Sequence, residues 1–181
     1  DYTGLARPVL ARLVGERGDV TRQRWAAATL AALGQRAADE MAALLALAVD
    51  PVVGQHLAEG LLAAGRGAGE SRQAALWLAA HSNLPRAVEV LGDLALSARV
   101  SGSDAVLATN DLADFAPQWA GAGRLLAVLA TESPHPAVRT RALDLLLREH
   151  PSEMPLALLV DLAITGSLGP ADRAPVVQQL R

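Results

Sequence analysis

The side chains whose types suit acid–base or metal chemistry in this sequence are four histidines and a scatter of carboxylates. His56, His81, His135 and His150 form no HExxH or HxH pair. His56 and Glu59 stand at i and i+3 of one predicted helix, the spacing of a carboxylate-bridged metal motif in reversed order. Such a pair supplies two ligands, and a protein zinc site uses three or four. The pair is therefore read as a polar helix face. His135 and His150 lie beside prolines at helix ends, where a turn residue and a partner for the C-terminal helix dipole are expected. The run Gly65 to Gly69 (GRGAG) lacks the GK[ST] ending of a phosphate loop, and no strand precedes it. No serine sits in a G-x-S-x-G elbow. These patterns assign no catalytic residue, no metal site and no cofactor.

Asp104, Asp111 and Asp114 form the densest acidic cluster, with Asn110 beside them. The NDxxD spacing resembles the acidic motif that holds magnesium–diphosphate in all-α terpenoid synthases. That chemistry needs a second metal-binding segment on an opposing helix. None with the required Asn/Ser/Glu spacing occurs, and the chain is short for that fold. Ordinary turn chemistry, with Asp104 and Asp111 capping short helices, is the simpler reading.

These residues are carried by a chain that reads as helix throughout, punctuated by glycine and proline. Helices are expected at 5–14, from Asp19 to about Leu33, at 39–49 and from Pro51 to about Ala64. Others are expected at 70–81, 85–97, 124–130, 136–149, 155–165 and 170–180. Asp19 suits an N-cap, Gly34 a helix stop, and Asp50-Pro51 an N-cap followed by proline at the first helical position. Residues 100–118 look irregular (Ser101-Gly102-Ser103, Asn110-Asp111, Pro117), with one short helix expected there. Trp25, Trp77 and Trp119 are expected to fill the core or line a groove. A tryptophan on a helical repeat also serves as a partner-binding anchor.

The segment Leu125 to Leu147 carries the strongest pattern. Leu125, Leu126 and Leu129 give an apolar stripe, and Ser133-Pro134-His135-Pro136 a turn. Val138, Ala142, Leu145 and Leu146 then fall at i, i+4, i+7 and i+8, the spacing of a core-facing helix. With Val138-Arg139 opening the second helix, the pair resembles a HEAT-type helical repeat. Weaker copies follow Asp19 (Val20, Arg22, Trp25), Asp50 (Pro51, Val52, Val53, with Gly54 in place of the arginine) and Pro85. The starts at Asp19, Pro51, Pro85 and Pro136 are separated by 32, 34 and 51 residues. The first two lie in the range of helical-hairpin repeats, and the third requires about half a repeat inserted near 100–118. The resemblance implies an all-α fold: antiparallel helical hairpins stacked as a short right-handed α-solenoid. A single repeat domain over 1–181 is expected, either whole or a piece of a longer array.

Composition agrees with helices. Of 181 residues, 51% are hydrophobic and only 3% aromatic. Such an Ala/Leu-rich core favours closely approaching helices over a sheet, which prefers β-branched and aromatic residues. Without cysteine there is no disulfide framework. The 16 basic residues are all arginine, as expected of a GC-rich, bacterial genome. The net charge of −3 is spread over interspersed signs, with no basic run and no apolar stretch of the ~20 residues a membrane span needs. A cytoplasmic location and no membrane partner are expected.

The resemblance points to a non-catalytic scaffold that holds a protein or peptide in a groove formed by the second helices. Superposing those helices puts Glu59, Asp93 and Asp144 at one repeat position, and His56, Val90 and Arg141 three residues earlier. Arg148 shares a face with Asp144 at i+4. His56, Glu59, Asp93, Arg141, Asp144 and Arg148 are thus the expected partner-binding residues. Two alternatives remain. The chain also looks like the HEAT-like scaffold of some DNA glycosylases, which would require Arg22, Arg24, Arg139, Arg141 and Arg148 to form a basic patch. An all-α enzyme would use Asp111 and Asp114 to hold a metal.

Overall fold

The computed structural model describes residues 2–16, 18–81, 83–115, 118 and 121–149. All regular structure among them is helical. The helices are α1 (Tyr2–Gly15), α2 (Val20–Leu33), α3 (Ala38–Leu45), α4 (Pro51–Ala64), α5 (Ala68–His81), α6 (Leu84–Leu96), α7 (Gly102–Phe115), α8 (Ala122–Glu132) and α9 (Pro136–Glu149). The helices expected at 155–165 and 170–180, together with Trp119 and His150, lie outside the described residues.

Local chemistry sets most of the boundaries. The Asp19 carboxylate accepts from the Arg22 backbone N–H at 3.1 Å and starts α2. Asp50 accepts from the N–H groups of Val52 (3.1 Å) and Val53 (3.0 Å), satisfying donors that a helix start leaves unpaired, and Pro51 follows at the first helical position. Gly34 ends α2 with φ 56° and Gly65 ends α4 with φ 60°, conformations that cost glycine no Cβ strain.

Two segments differ from the sequence expectation. The helix expected over 39–49 stops at Leu45 and is preceded by a 3-10 turn, Gly34–Ala37. Beyond Leu45, the Leu47 N–H donates to Leu44 O (3.0 Å) and that of Ala48 to Leu45 O (3.3 Å). These tight bonds end the helix before Asp50 opens the next. Residues 100–118, expected to hold one short helix, instead contain the 14-residue α7. Ser101 Oγ caps it by accepting from Asp104 N (3.2 Å), and Thr109 Oγ1 bonds back to Ala105 O (2.8 Å). Ala105, Ala108 and Leu112 fall at i, i+3 and i+7 and form its buried stripe. From Gly102 to Pro136 is 34 residues, and the segment expected to be an irregular insertion is a whole helix.

The chain divides into two compact units, 1–90 and 91–181, and the boundary falls inside α6. In the first unit, α1 packs on α2 and α3, α2 on α4, α3 on α4 and α5, and α4 on α5. Leu30, Met41, Leu45, Leu57, Leu61 and Leu78 fill its core. Two glycines let α4 sit this closely among its neighbours. A Cβ on Gly54 would lie 1.9 Å from Trp77 Cζ2, and one on Gly60 would lie 2.8 Å from Ala31 Cβ. Gly54 falls opposite Arg139 when Pro51 is set against Pro136 in the sequence, and the Trp77 ring occupies the space a Cβ there would need.

In the second unit α9 packs on α8 and α7. The expected inward face is buried: Leu126, Leu129, Val138, Ala142, Leu145 and Leu146. Leu125 is half-buried against Gly92. The Ser133–Pro136 turn is tied down by polar bonds. Buried Ser133 Oγ donates to Ala95 O (2.8 Å), His135 Nε2 pairs with Ser97 O (3.0 Å), and Arg139 donates to Ser133 O (2.7 Å).

Gly54→Ala should therefore destabilise the chain by about 1–3 kcal/mol, the usual cost of overpacking a filled core. Gly4→Ala, with open space around it, should be neutral or slightly stabilising, since alanine is the better helix former. Thermal unfolding of both variants checks the pair; equal melting temperatures would contradict the tight Trp77 contact.

Candidate functional site

The exposed faces of α2 and α4 make the most distinctive surface of the first unit. On α2 the buried residues Ala26, Ala27 and Leu30 leave Thr21, Trp25, Ala28 and Ala32 on the opposite side. On α4 the same geometry turns Val52, Gln55 and Glu59 outward. His56 lies one turn before Gly60, on the flank that meets α2. Trp25 is 60% exposed. Of the expected roles, core filling does not hold: Trp25 lies off the buried stripe of Ala26, Ala27 and Leu30 and is open to solvent. Trp77 is half-buried, with Gly54 beside its ring and His81 stacked on it at 4.1 Å between centroids.

One ion pair holds the two helices in register. Arg24 on α2 donates to both Asp50 oxygens, Nε at 3.1 Å and Nη2 at 2.8 Å. This bidentate geometry uses the planar guanidinium fully. Asp50 thus caps α4 and binds α2 at once. Its pKa falls to about 2, chiefly through the Arg24 hydrogen bond, with help from the Val53 and Val52 N–H groups and the Arg24 charge, and against partial desolvation. The same bond raises the Arg24 pKa.

At the edge where α2 and α4 begin, a cleft of about 820 Å³ opens among Val14, Val20, Leu44, Leu47, Val49 and Val53, with Asp50 and Gln23 as polar lining. Leu47 is 76% and Val49 92% exposed. The sequence reading missed this cleft by running the helix through to residue 49. The available signal was Leu47 and Val49 themselves, apolar residues immediately before the Asp50-Pro51 break.

The expected partner-binding residues fall into both units. In the first, Glu59 is half-exposed and meets the Arg86 guanidinium at 3.8 Å, while Arg86 is bonded more closely to Glu89 (2.7 Å). In the second, Asp93 is exposed. Arg141, Asp144 and Arg148 form a cluster on α9: Asp144 binds Arg141 Nη1 at 3.0 Å and Arg148 Nη2 at 2.9 Å. Arg141 Nε also donates to Asn110 Oδ1 on α7 at 2.6 Å. That contact fastens α9 to α7, a structural task that the sequence did not reveal.

The arginines of the nucleic-acid alternative are each engaged. Arg22 pairs with Asp19, Arg24 with Asp50, Arg139 with the Ser133 carbonyl, and Arg141 and Arg148 with Asp144. The acidic cluster does not converge: Asp104 accepts from Ser101, Asp111 is buried and Asp114 is exposed. Among the described residues no three His, Cys, Asp or Glu side chains are placed to hold a metal ion, and no helix is long and apolar enough to cross a membrane.

Neither a family model, nor a curated protein, nor a solved structure matches the chain.

The Asp50 pKa gives the stability a signed pH dependence. Its folded value lies below the ~3.9 of an unfolded aspartate, so its contribution is complete above that value and is lost as pH falls from about 4 through about 2. Asp50→Asn, which keeps a capping oxygen, should be less stable than wild type at pH 7, and the gap should close across that window. Asp50→Ala should cost about 1 kcal/mol more through the lost cap. Denaturant titrations from pH 2 to 7 check both; a gap independent of pH would contradict the pairing.

Proposed function

We propose that the chain is a non-catalytic binding scaffold, a short right-handed HEAT-like solenoid whose second helices receive a protein or peptide. Several contacts support the repeat reading. First helices pack on first helices (α1 on α3, α3 on α5), and second helix α2 packs on second helix α4. The Arg24–Asp50 pair joins one second helix to the turn that opens the next, and Gln73 Nε2 joins α5 to α3 through Ala42 O (3.1 Å).

The observation that carries the functional reading is Trp25. A tryptophan 60% exposed on a helix face, with Ala28 and Ala32 one and two turns along the same helix, has the character of an interface anchor. Tryptophan is among the side chains enriched where binding energy concentrates. In the second unit we assign the corresponding role to Asp93 with the Arg141–Asp144–Arg148 cluster. The arginines already engaged within the fold count against a phosphate-binding surface, which needs available cations.

Crosslinking in the source organism, followed by reconstitution with the purified partner, tests this. Trp25→Ala should weaken binding by on the order of 30-fold or more, the effect of losing a hot-spot residue of about 2 kcal/mol. Combined charge reversal at Glu59, Asp93 and Asp144 should weaken it as well. Wild-type affinity in both variants would sink the proposal.

A further inference from the structure

The geometry points to the chemistry of the segment that the first unit receives: an extended peptide with a bulky apolar residue and, three or four positions away, an arginine or lysine. This inference rests on the scaffold reading and adds the identity of the ligand's two contacts.

The apolar contact follows from Trp25. Its ring stands on the exposed side of α2 beside Ala28 and Ala32, one and two turns along. Those alanines leave a shallow shelf next to a large ring, which suits one bulky apolar side chain.

The cationic contact follows from the charges around it. The guanidiniums of this face are hydrogen-bonded or ion-paired within the fold: Arg24 to Asp50 at 2.8 Å, Arg22 to Asp19 at 3.1 Å and Arg86 to Glu89 at 2.7 Å. Glu59 differs. Among the described residues the cation it meets is Arg86 at 3.8 Å, a distance too long for a hydrogen bond. The carboxylate with capacity to spare is thus Glu59, and its complement is a donor cation.

The spacing follows from the helices. They run parallel, with Arg24 opposite the start of α4 and Ala31 opposite Gly60. Counted back from the direct Ala31–Gly60 backbone approach, Trp25 is level with Gly54, five residues before Glu59. Five residues rise about 7.5 Å along the axis, and packed axes lie about 8–10 Å apart, which places the two contacts about 12 Å from each other. An extended chain covers that in three to four residues at about 3.3 Å each.

Selection of a random linear peptide library on the full chain tests the inference. The expected consensus is a bulky apolar residue with arginine or lysine three or four positions away. Selection on Glu59→Lys should exchange the basic residue for aspartate or glutamate, and Trp25→Ala should abolish the consensus while circular dichroism shows the helices intact. The affinity of a synthetic consensus peptide should fall at least tenfold for Glu59→Lys. A consensus that depends on Trp25 but carries no basic residue overturns this inference and leaves the binding face standing. No consensus on the wild-type chain, or one indifferent to both substitutions, overturns both.

Discussion

Two positions without side chains on α4 set how near its neighbours come. Gly54 admits the edge of the Trp77 ring from α5, and Gly60 admits Ala31 from α2 and the Met41 sulfur from α3. In a core made of alanine and leucine, with few aromatics to fill gaps, such close approach is how dispersion contacts reach full density. Helix α4 can then touch α2, α3 and α5 together. The exposed face and the Arg24–Asp50 bond exist because α2 and α4 lie side by side.

Electrostatics does different work in different places. Asp50 is a cap, an ion-pair partner and a cleft wall at once, and the depressed pKa reports how many donors converge on it. Elsewhere carboxylates and guanidiniums link one element to another: Arg66 with Asp39 and Arg7 with Glu40. Exposed pairs of this kind contribute little each to stability, but they decide which charges remain available to a ligand. That distinction separates Glu59, which has acceptor capacity, from Asp144, which is already held by two arginines.

The helix pair at 125–147 was legible because several signals agree there. An apolar period, a proline-bearing turn and the Val138-Arg139 start all specify the same helix pair, and it formed where expected. Its polar residues proved to be fasteners: Ser133 and His135 reach Ala95 and Ser97, and Arg139 closes back on its own turn. The region 100–118 was misread for the opposite reason. Ser101, Asn110 and Asp111 each suggest a break when taken singly, yet Ser101 works as a cap and Asn110 bonds to Arg141 across the packed pair. Their partners lie three residues away in one case and 31 in the other, so only the first was open to sequence reasoning.

Sequence by itself determined the all-helical class and most helix limits, because capping, proline and glycine chemistry and the 3.6-residue period act over a few neighbouring residues. It also marked His56, Glu59, Asp93, Arg141, Asp144 and Arg148 as polar positions on helix faces. Tertiary structure decided which of these are occupied and which remain open, since that depends on residues far along the chain: Arg86 beside Glu59, Asn110 beside Arg141. It also decided the exposure of Trp25 and the opening of the cleft around Leu47 and Val49. An apolar side chain carries no mark of whether another helix will cover it. That is settled only when the helices pack and their glycines fix the distances between them.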